Sequence, residues 1–356
     1  MKKMYLFFVL AALFIGCESE KSVEVDKNLS KSSELLGNLD DFNAKLSKQC
    51  SIDRQYVIQD DRPRVIAPVN LTRALNWRGI FYADAWGAYE GGKAGFTYGS
   101  VFSPSGAVAG AVVAGLLFGA VTSGIEAWIQ GGDSYSESMG HLTLDDYAIG
   151  ELIRSNEIFS SETLYNMYCA IPKEEILKIK ETVQFENQLK VDTTVRIVGV
   201  AHNVLLGQLM SNSIPPSGNS HTLNSSVIPP INPVIPVKPV EKYDEFDIFE
   251  EEISAEMVSS EIFKTNFADF VGELLQKKER GGTVLKPAED LSDEIMNLFA
   301  EAAILYTNTP EDLSTIINYY YENIDPSPEL TKEEKQCIYI GLAVAAYSAK
   351  YWECYE

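Results

Sequence analysis

Cysteine and histidine offer the most chemistry of any side chains in this chain, and both are scarce. The 356 residues include five cysteines and three histidines. A thiol hydrolase needs a cysteine next to a histidine that acts as its base. Cys169 and His202 are the only such candidates on the part that we expect to fold, and nothing in their spacing brings them together. A buried structural thiol and a core histidine with a polar neighbour, Asn203, are the simpler interpretations.

Other catalytic patterns are missing from the sequence. It contains no GxSxG, no HExxH, no phosphate-binding loop and no dinucleotide fingerprint. It has no CxxC pair, and its histidines are too scattered for a zinc site. We therefore assign no catalytic residue, no metal and no cofactor, and we keep His202 and Asn203 as a possible polar site.

The first 17 residues have the form of an export signal. Lys2 and Lys3 precede an apolar run from Tyr5 to Ile15, and Gly16 stands directly before Cys17. This segment resembles the lipobox of bacterial lipoproteins, although Phe14 stands where leucine is most usual. The resemblance implies that residues 1–16 are removed and that Cys17 carries the lipid. The alternative is a plain secretory signal that happens to contain a cysteine.

The resemblance also implies an address. The protein would be held at a membrane of the bacterial cell envelope through the lipid on Cys17, and Glu18 favours the outer over the inner membrane. Residues 17–28 are polar and lack periodicity, so we interpret them as a tether.

Charge is distributed unevenly along the chain. The formal net charge is −22, and residues 241–356 contain 26 acidic and 9 basic residues. Such an acidic region repels phosphate backbones, so we do not expect nucleic acid as a partner. Solubility is the simplest reason for the excess of acid.

Small residues recur at every fourth position in one segment, and no charged residue occurs between Ala94 and Ile125. A four-residue step overshoots one helical turn by about 40°, so a row of small residues with this spacing would wind around a single helix. We call this row the ladder. Ser103 and Pro104, a credible N-cap and first helical residue, divide the ladder into two helices. The ladder consists of Gly87, Gly91, Gly95, Gly99, Ser103, Ala107, Ala111, Gly115, Gly119, Ser123 and Ala127.

This pattern, over residues 82–130, resembles the glycine-zipper helical hairpins of several envelope lipoproteins and of some pore-forming peptides. Small residues allow two backbones to approach closely. The second helix is long enough to cross a bilayer but rich in Gly and Ala, and the first carries Asp84, Glu90 and Lys93. We therefore expect the hairpin to pack within the protein, with insertion into a bilayer as the alternative.

The rest of the chain also predicts helices and no strands, so the fold class is all-α. Residues 29–210 form a helical domain around the hairpin, and their Gly199-x-x-His202-Asn203 run resembles a feature of uncharacterised exported bacterial proteins. Residues 211–240 are a proline-rich linker, and residues 241–356 are a separate acidic helical domain. In that domain we expect one helix over Glu256–Lys278, a helix that follows Ser292, a helix capped at Thr309 and a last helix that begins with a capping box at Thr331.

The function class expected from these observations is an envelope-anchored lipoprotein of structural or interaction type. Its partners would be the membrane, through Cys17, and other envelope proteins. The alternative is a toxin-like effector that inserts the hairpin into a membrane, and a hydrolase without a motif comes third.

Overall fold

The computed structural model describes residues 33–51, 77–130, 160–183, 185, 188–213, 249, 251–279, 288–307 and 309–353. These residues form helices and connections without a strand, so the predicted all-α class is confirmed. The helices are α1 (Glu34–Ser51), α2 (Trp77–Gly99), α3 (Pro104–Gln130), α4 (Ser161–Cys169), α5 (Lys173–Thr182), α6 (Thr193–Ser213), α7 (Glu251–Ser259), α8 (Glu261–Glu279), α9 (Leu291–Tyr306), α10 (Pro310–Ile324) and α11 (Lys332–Trp352).

Helices α2 and α3 form the hairpin, and the connection between them is short. Ser103 caps α3: its Oγ accepts a hydrogen bond from the backbone N–H of Gly106 at 2.8 Å, and its carbonyl accepts one from Ala107 at 3.0 Å. Pro104 is the first residue of α3, where its missing N–H costs nothing. The chain thus turns at the position that the sequence predicts.

Two further helices complete the centre of the molecule. Helix α11 packs along α2 and also contacts α3. Helix α6 packs against both α3 and α11. Both surround the hairpin with apolar side chains, among them Ile197, Leu205, Ile340 and Val344, all of which are fully buried. The hairpin is therefore the middle of the core.

The remaining helices lie outside these four. Helix α9 packs on α2, while α1 packs on α9 and α10; the rings of Phe42 in α1 and Tyr319 in α10 stack with centroids 3.8 Å apart. Helix α8 covers α3 through aromatic contacts, since the Phe118 ring lies 4.9 Å from that of Phe267 and 4.5 Å from that of Phe270.

A separate C-terminal domain, over residues 241–356, is not confirmed. Helix α11 belongs to that part of the chain, yet it packs against α2 of the hairpin, and buried side chains from both halves form one continuous hydrophobic cluster. Residues 1–16 and 17–28, and the predicted linker beyond Ser213, lie outside the described residues.

Two local expectations need correction. The single helix expected between Glu256 and Lys278 is two helices, because the chain breaks at Ser260, whose Oγ accepts from the N–H of Phe263 at 3.3 Å. The N-cap of α9 is Asp290 rather than Ser292, since its carboxylate accepts from the N–H of Asp293 at 2.9 Å. The predicted cap at Thr309 and the predicted capping box at Thr331 are both present, and Thr309 forms a capping box as well.

One described helix, Pro104–Ala127 within α3, is long and apolar enough to cross a bilayer, with a mean hydropathy of 2.0. Length and composition alone are weak evidence, because the core helix of a soluble protein has the same properties. Here 94% of its most apolar window is buried inside the protein.

Candidate functional site

A cluster of polar side chains lies at the centre of the apolar core. Each of the four central helices contributes to it: Asp84 from α2, Ser123 from α3, His202 from α6, and Ser348 with Trp352 from α11. All five side chains are buried. We call this set the Asp84 cluster.

Hydrogen bonds connect three of the four helices directly. Oδ2 of Asp84 accepts from the hydroxyl of Ser123 at 2.9 Å and also from the hydroxyl of Ser348. The indole N–H of Trp352 donates to Ser123 Oγ at 3.2 Å. The carboxyl group therefore ties α2 to both α3 and α11.

His202 faces this carboxyl group from the fourth helix. Its Nε2 lies 4.0 Å from Asp84 Oδ2, and its Nδ1 lies 3.1 Å from the Oδ1 of Asn203. The amide of Asn203 in turn donates to the backbone carbonyl of Tyr347 in α11 at 2.7 Å. The two residues kept as a possible polar site therefore join α6 to Asp84 on one side and to α11 on the other.

Burial determines the charge of this pair. Burial raises the pKa of Asp84 well above its usual value, although the hydrogen bonds from Ser348, Ser123 and Trp352 act in the opposite direction. Burial also lowers the pKa of His202 to about 4, while Asn203 and the backbone of Gly119 partly oppose that shift. His202 is therefore neutral at pH 7, and burial favours the protonated, neutral form of Asp84.

Two polar atoms of the cluster have no hydrogen-bond partner among the described residues, namely Oδ1 of Asp84 and Nε2 of His202. A buried polar atom without a partner costs about 1–3 kcal/mol. This cost is smallest when Asp84 is protonated and His202 is neutral, because a charged group without a partner costs more.

Around the cluster, the glycines of α2 allow the hairpin backbones to touch. A Cβ at Gly91 would lie 2.5 Å from the carbonyl oxygen of Ala114, and one at Gly87 would lie 2.9 Å from that of Phe118. Nearer the turn, Gly95 and Gly99 meet backbone atoms of Gly110 and Gly106 at even closer range. These two partners on α3 lie outside the ladder that the sequence pattern picked out.

The later ladder positions on α3 face other neighbours as well as α2. A Cβ at Gly115 would lie 2.7 Å from Ile340 Cγ2 in α11 and 2.9 Å from the carbonyl oxygen of Ala88. One at Gly119 would lie 3.1 Å from Cδ2 of His202. The rotation of a four-residue stripe by about 40° at each step explains this change of partner.

Close backbone contact also extends beyond the hairpin. A Cβ at Gly341 in α11 would lie 2.9 Å from the carbonyl oxygen of Ala85 in α2, and one at Gly199 in α6 would lie 2.7 Å from that of Ala343 in α11. Gly199, His202 and Asn203 therefore all make inter-helix contacts, which accounts for the spacing of the Gly-x-x-His-Asn run.

Comparison with protein-family models, curated proteins and solved structures finds no match to this chain.

Two other candidate residues remain, Cys17 and Cys169. Cys17 is outside the described residues. The expectation of a buried thiol at Cys169 is wrong: this residue ends α4 with its side chain exposed, because Leu164, Tyr165 and Tyr168 supply the inward face of that helix. His202 is buried, so the pair required by a thiol hydrolase is not formed. The described residues contain no group of three or more potential metal-ligating side chains.

Sequence reasoning assigned no polar site to four members of the cluster, Asp84, Ser123, Ser348 and Trp352. A signal for Asp84 was available, because it is the only charged residue between Gly79 and Tyr89 in a helix with little other reason to carry one. A lone carboxylate on such a helix needs buried partners. Nothing local identifies the serines, since both resemble ordinary small packing residues.

A second polar contact joins the hairpin to α9. The hydroxyl of Tyr89 donates to Asp293 Oδ1 at 2.7 Å and lies 2.6 Å from Ser292 Oγ. Nζ of Lys93 lies 2.8 Å from Asp290 Oδ2 and 2.9 Å from Asp293 Oδ1. Lys93, one of the charged residues of α2 that argue against its insertion into lipid, is thus paired within the protein.

Proposed function

We propose that the protein is an envelope-anchored lipoprotein of structural or interaction type, held at the membrane by a lipid on Cys17. The observation that carries this proposal is the sequence Gly16-Cys17 after a basic start and an apolar run. The bacterial cell envelope is the proposed location, with the outer membrane favoured over the inner.

The character of the folded part supports a non-enzymatic role. The Asp84 cluster is closed to solvent, so in this conformation its acid and its base cannot reach a substrate. Its hydrogen bonds instead join α2, α3 and α11, and the neighbouring amide of Asn203 joins α6 to α11. We propose the membrane and other envelope proteins as partners, while the acidity of residues 241–356 disfavours nucleic acid.

A second candidate is a membrane-inserting effector that uses the hairpin. The observation that favours it is the length and apolar character of α3. Insertion would require α2 and α3 to leave α11 and α6, and it would carry Asp84 into lipid, where a charged aspartate costs roughly 2.5–3.5 kcal/mol near the centre. We therefore place this function second.

Metabolic labelling tests the lipid anchor. Expressed in a bacterial host with labelled fatty acid, the full chain should incorporate label and partition into detergent. Cys17→Ala should abolish both, whereas Cys169→Ala should keep both and so serve as the matched control. Label that survives in Cys17→Ala would refute the proposed anchor.

Dye release from vesicles tests the second candidate. Protein without the signal and the lipid should leave vesicles intact, because the hairpin is enclosed by α6 and α11. Release at sub-micromolar protein, lost on Gly115→Leu, would promote the effector function. The Leu side chain would collide with Ile340 and with the backbone of α2.

A further inference from the structure

The exposed large apolar side chains of the described residues gather at one end of the molecule. They are Val101, with 80% of its surface exposed, Ile262 with 65%, Phe102 with 39% and Val108 with 36%. Val101 and Phe102 lie in the turn between α2 and α3, and Val108 follows in the second turn of α3. We call this group the apolar tip.

Ile262 belongs to the same end. It lies in the first turn of α8 beside Phe263, whose ring is 5.9 Å from that of Tyr98 near the end of α2. The side-chain amide of Asn266 donates to the hydroxyl of the same tyrosine. Helix α7 approaches from another side, since Ile253 would contact a Cβ placed on Gly106.

The backbone N–H groups of the turn find their acceptors within the turn. The backbone N–H groups of Ser100, Val101 and Phe102 donate to the carbonyls of Phe96, Tyr98 and Gly99 at 3.0, 3.2 and 3.0 Å. The hydroxyl of Ser100 donates to the carbonyl of Thr97 at 2.8 Å, and Ser103 caps α3. Because these groups are already paired, moving the turn out of water leaves few hydrogen bonds unmade.

The charges near the apolar tip indicate which lipid headgroups it can contact. The hairpin contributes no charge between Ala94 and Ile125. The helices that flank it carry Glu252, Glu256 and Glu261, all exposed. Carboxylates repel anionic headgroups, so a neutral, zwitterionic lipid surface is the one that fits.

We propose that the apolar tip docks into the interfacial layer of a zwitterionic bilayer and gives the protein a second membrane contact. This rests on the proposed lipid anchor, which keeps the folded part beside a bilayer. Cys17 and Ser33 are 16 Cα–Cα steps apart, a distance of up to about 55 Å in an extended chain. Helix α3 is about 40 Å long, so the tether permits the tip to face the membrane.

Vesicle flotation tests this docking without the lipid. The protein is the chain from residue 17 with Cys17→Ser, which retains every described residue, and the probe is a vesicle of phosphatidylcholine. The chain should float with the vesicles. Val101→Asp should lower the partition coefficient at least tenfold, because a charge replaces an exposed apolar side chain, while Val101→Phe should keep or raise it.

Asn38→Asp is the matched control, since it adds the same charge at an exposed position of α1, away from the tip. It should leave flotation unchanged, and the unfolding temperatures of all variants should agree. No flotation of the parent chain, equal flotation of Val101→Asp, or stronger flotation on added anionic lipid would each overturn the docking. Labelling of Cys17 is measured separately, so loss of the anchor and loss of docking give different results.

Discussion

Nε2 of His202 lies 4.0 Å from Oδ2 of Asp84, and both side chains are completely buried between four helices. Folding raises the pKa of the acid and lowers that of the imidazole to about 4. The folded pair therefore keeps one proton, on Asp84, up to the raised pKa of that carboxyl group. An unfolded aspartate loses its proton near pH 3.9 and an unfolded histidine near pH 6.5.

These pKa values predict the pH dependence of stability. Between about pH 4 and 6.5 the unfolded pair also holds one proton, so the two contributions cancel. Above about pH 6.5 only the folded pair keeps its proton, and the free energy of unfolding falls as pH rises towards the raised pKa of Asp84. The slope from one proton is up to about 1.4 kcal/mol per pH unit.

Asp84→Asn should isolate the contribution of the acid. The amide has nearly the same shape and cannot ionise, so the variant should gain stability relative to the parent as pH rises above about 4, by up to about 1.4 kcal/mol per pH unit. Denaturant unfolding of both proteins at several pH values between 5 and 8 measures this. A stability difference that stays constant with pH would show that Asp84 is ionised in the fold.

His202→Gln is the reciprocal experiment. The parent loses stability from this residue as pH falls from 6.5 towards 4, because only the unfolded imidazole takes up a proton there. The variant lacks that loss, so its free energy of unfolding should rise relative to that of the parent as pH falls, by up to about 1.4 kcal/mol per pH unit. The same series of unfolding curves checks it, and a gain towards alkaline pH would contradict the assignment.

Local signals of the sequence predict the ends of several helices correctly. Ser103 with Pro104, Thr309 and Thr331 act through hydrogen bonds to residues two to four positions away, so their effect can be read from neighbours along the chain. The break at Ser260 was missed because neither glycine nor proline marks it. The Asp84 cluster could be predicted only in part, because Ser348 reaches Asp84 from the far end of the chain.

The close contact between α2 and α3 predicts unequal effects for glycine replacements. Gly95→Ala should destabilise the protein by about 1–3 kcal/mol, because the added methyl group would overlap the backbone of Gly110. Gly272→Ala is the matched control: nothing lies within 4 Å of the added methyl group in α8, so it should stabilise by about 0.5–1 kcal/mol. Thermal unfolding of the two variants compares them. Equal effects would mean that the hairpin helices do not touch.

The ion pairs of Lys93 should contribute more to the free energy of unfolding than an exposed ion pair does. Lys93→Met leaves the buried carboxylate of Asp293 without its cation and should cost about 1–2 kcal/mol. Lys190→Met removes the exposed pair with Glu322 and should cost less than about 1 kcal/mol. Denaturant unfolding in low and high salt distinguishes them, since salt screens the exposed pair more strongly. A larger loss for Lys190→Met would place α9 away from the hairpin.

The position of α11 predicts how the protein behaves when its chain is cut. A protease site inserted between Gly218 and Asn219 would separate α1–α6 from α7–α11 without touching a described residue. The two fragments should stay together in size-exclusion chromatography, because α11 packs on α2 and α6 and its Trp352 donates to Ser123 in α3. They should separate only in denaturant.

Gly341→Leu, which forces α11 away from the Ala85 carbonyl, should weaken the association of the two fragments, whereas Gly272→Ala in α8 should leave it intact. Fragments that separate at once and remain helical by circular dichroism would establish two independent domains and contradict the shared core.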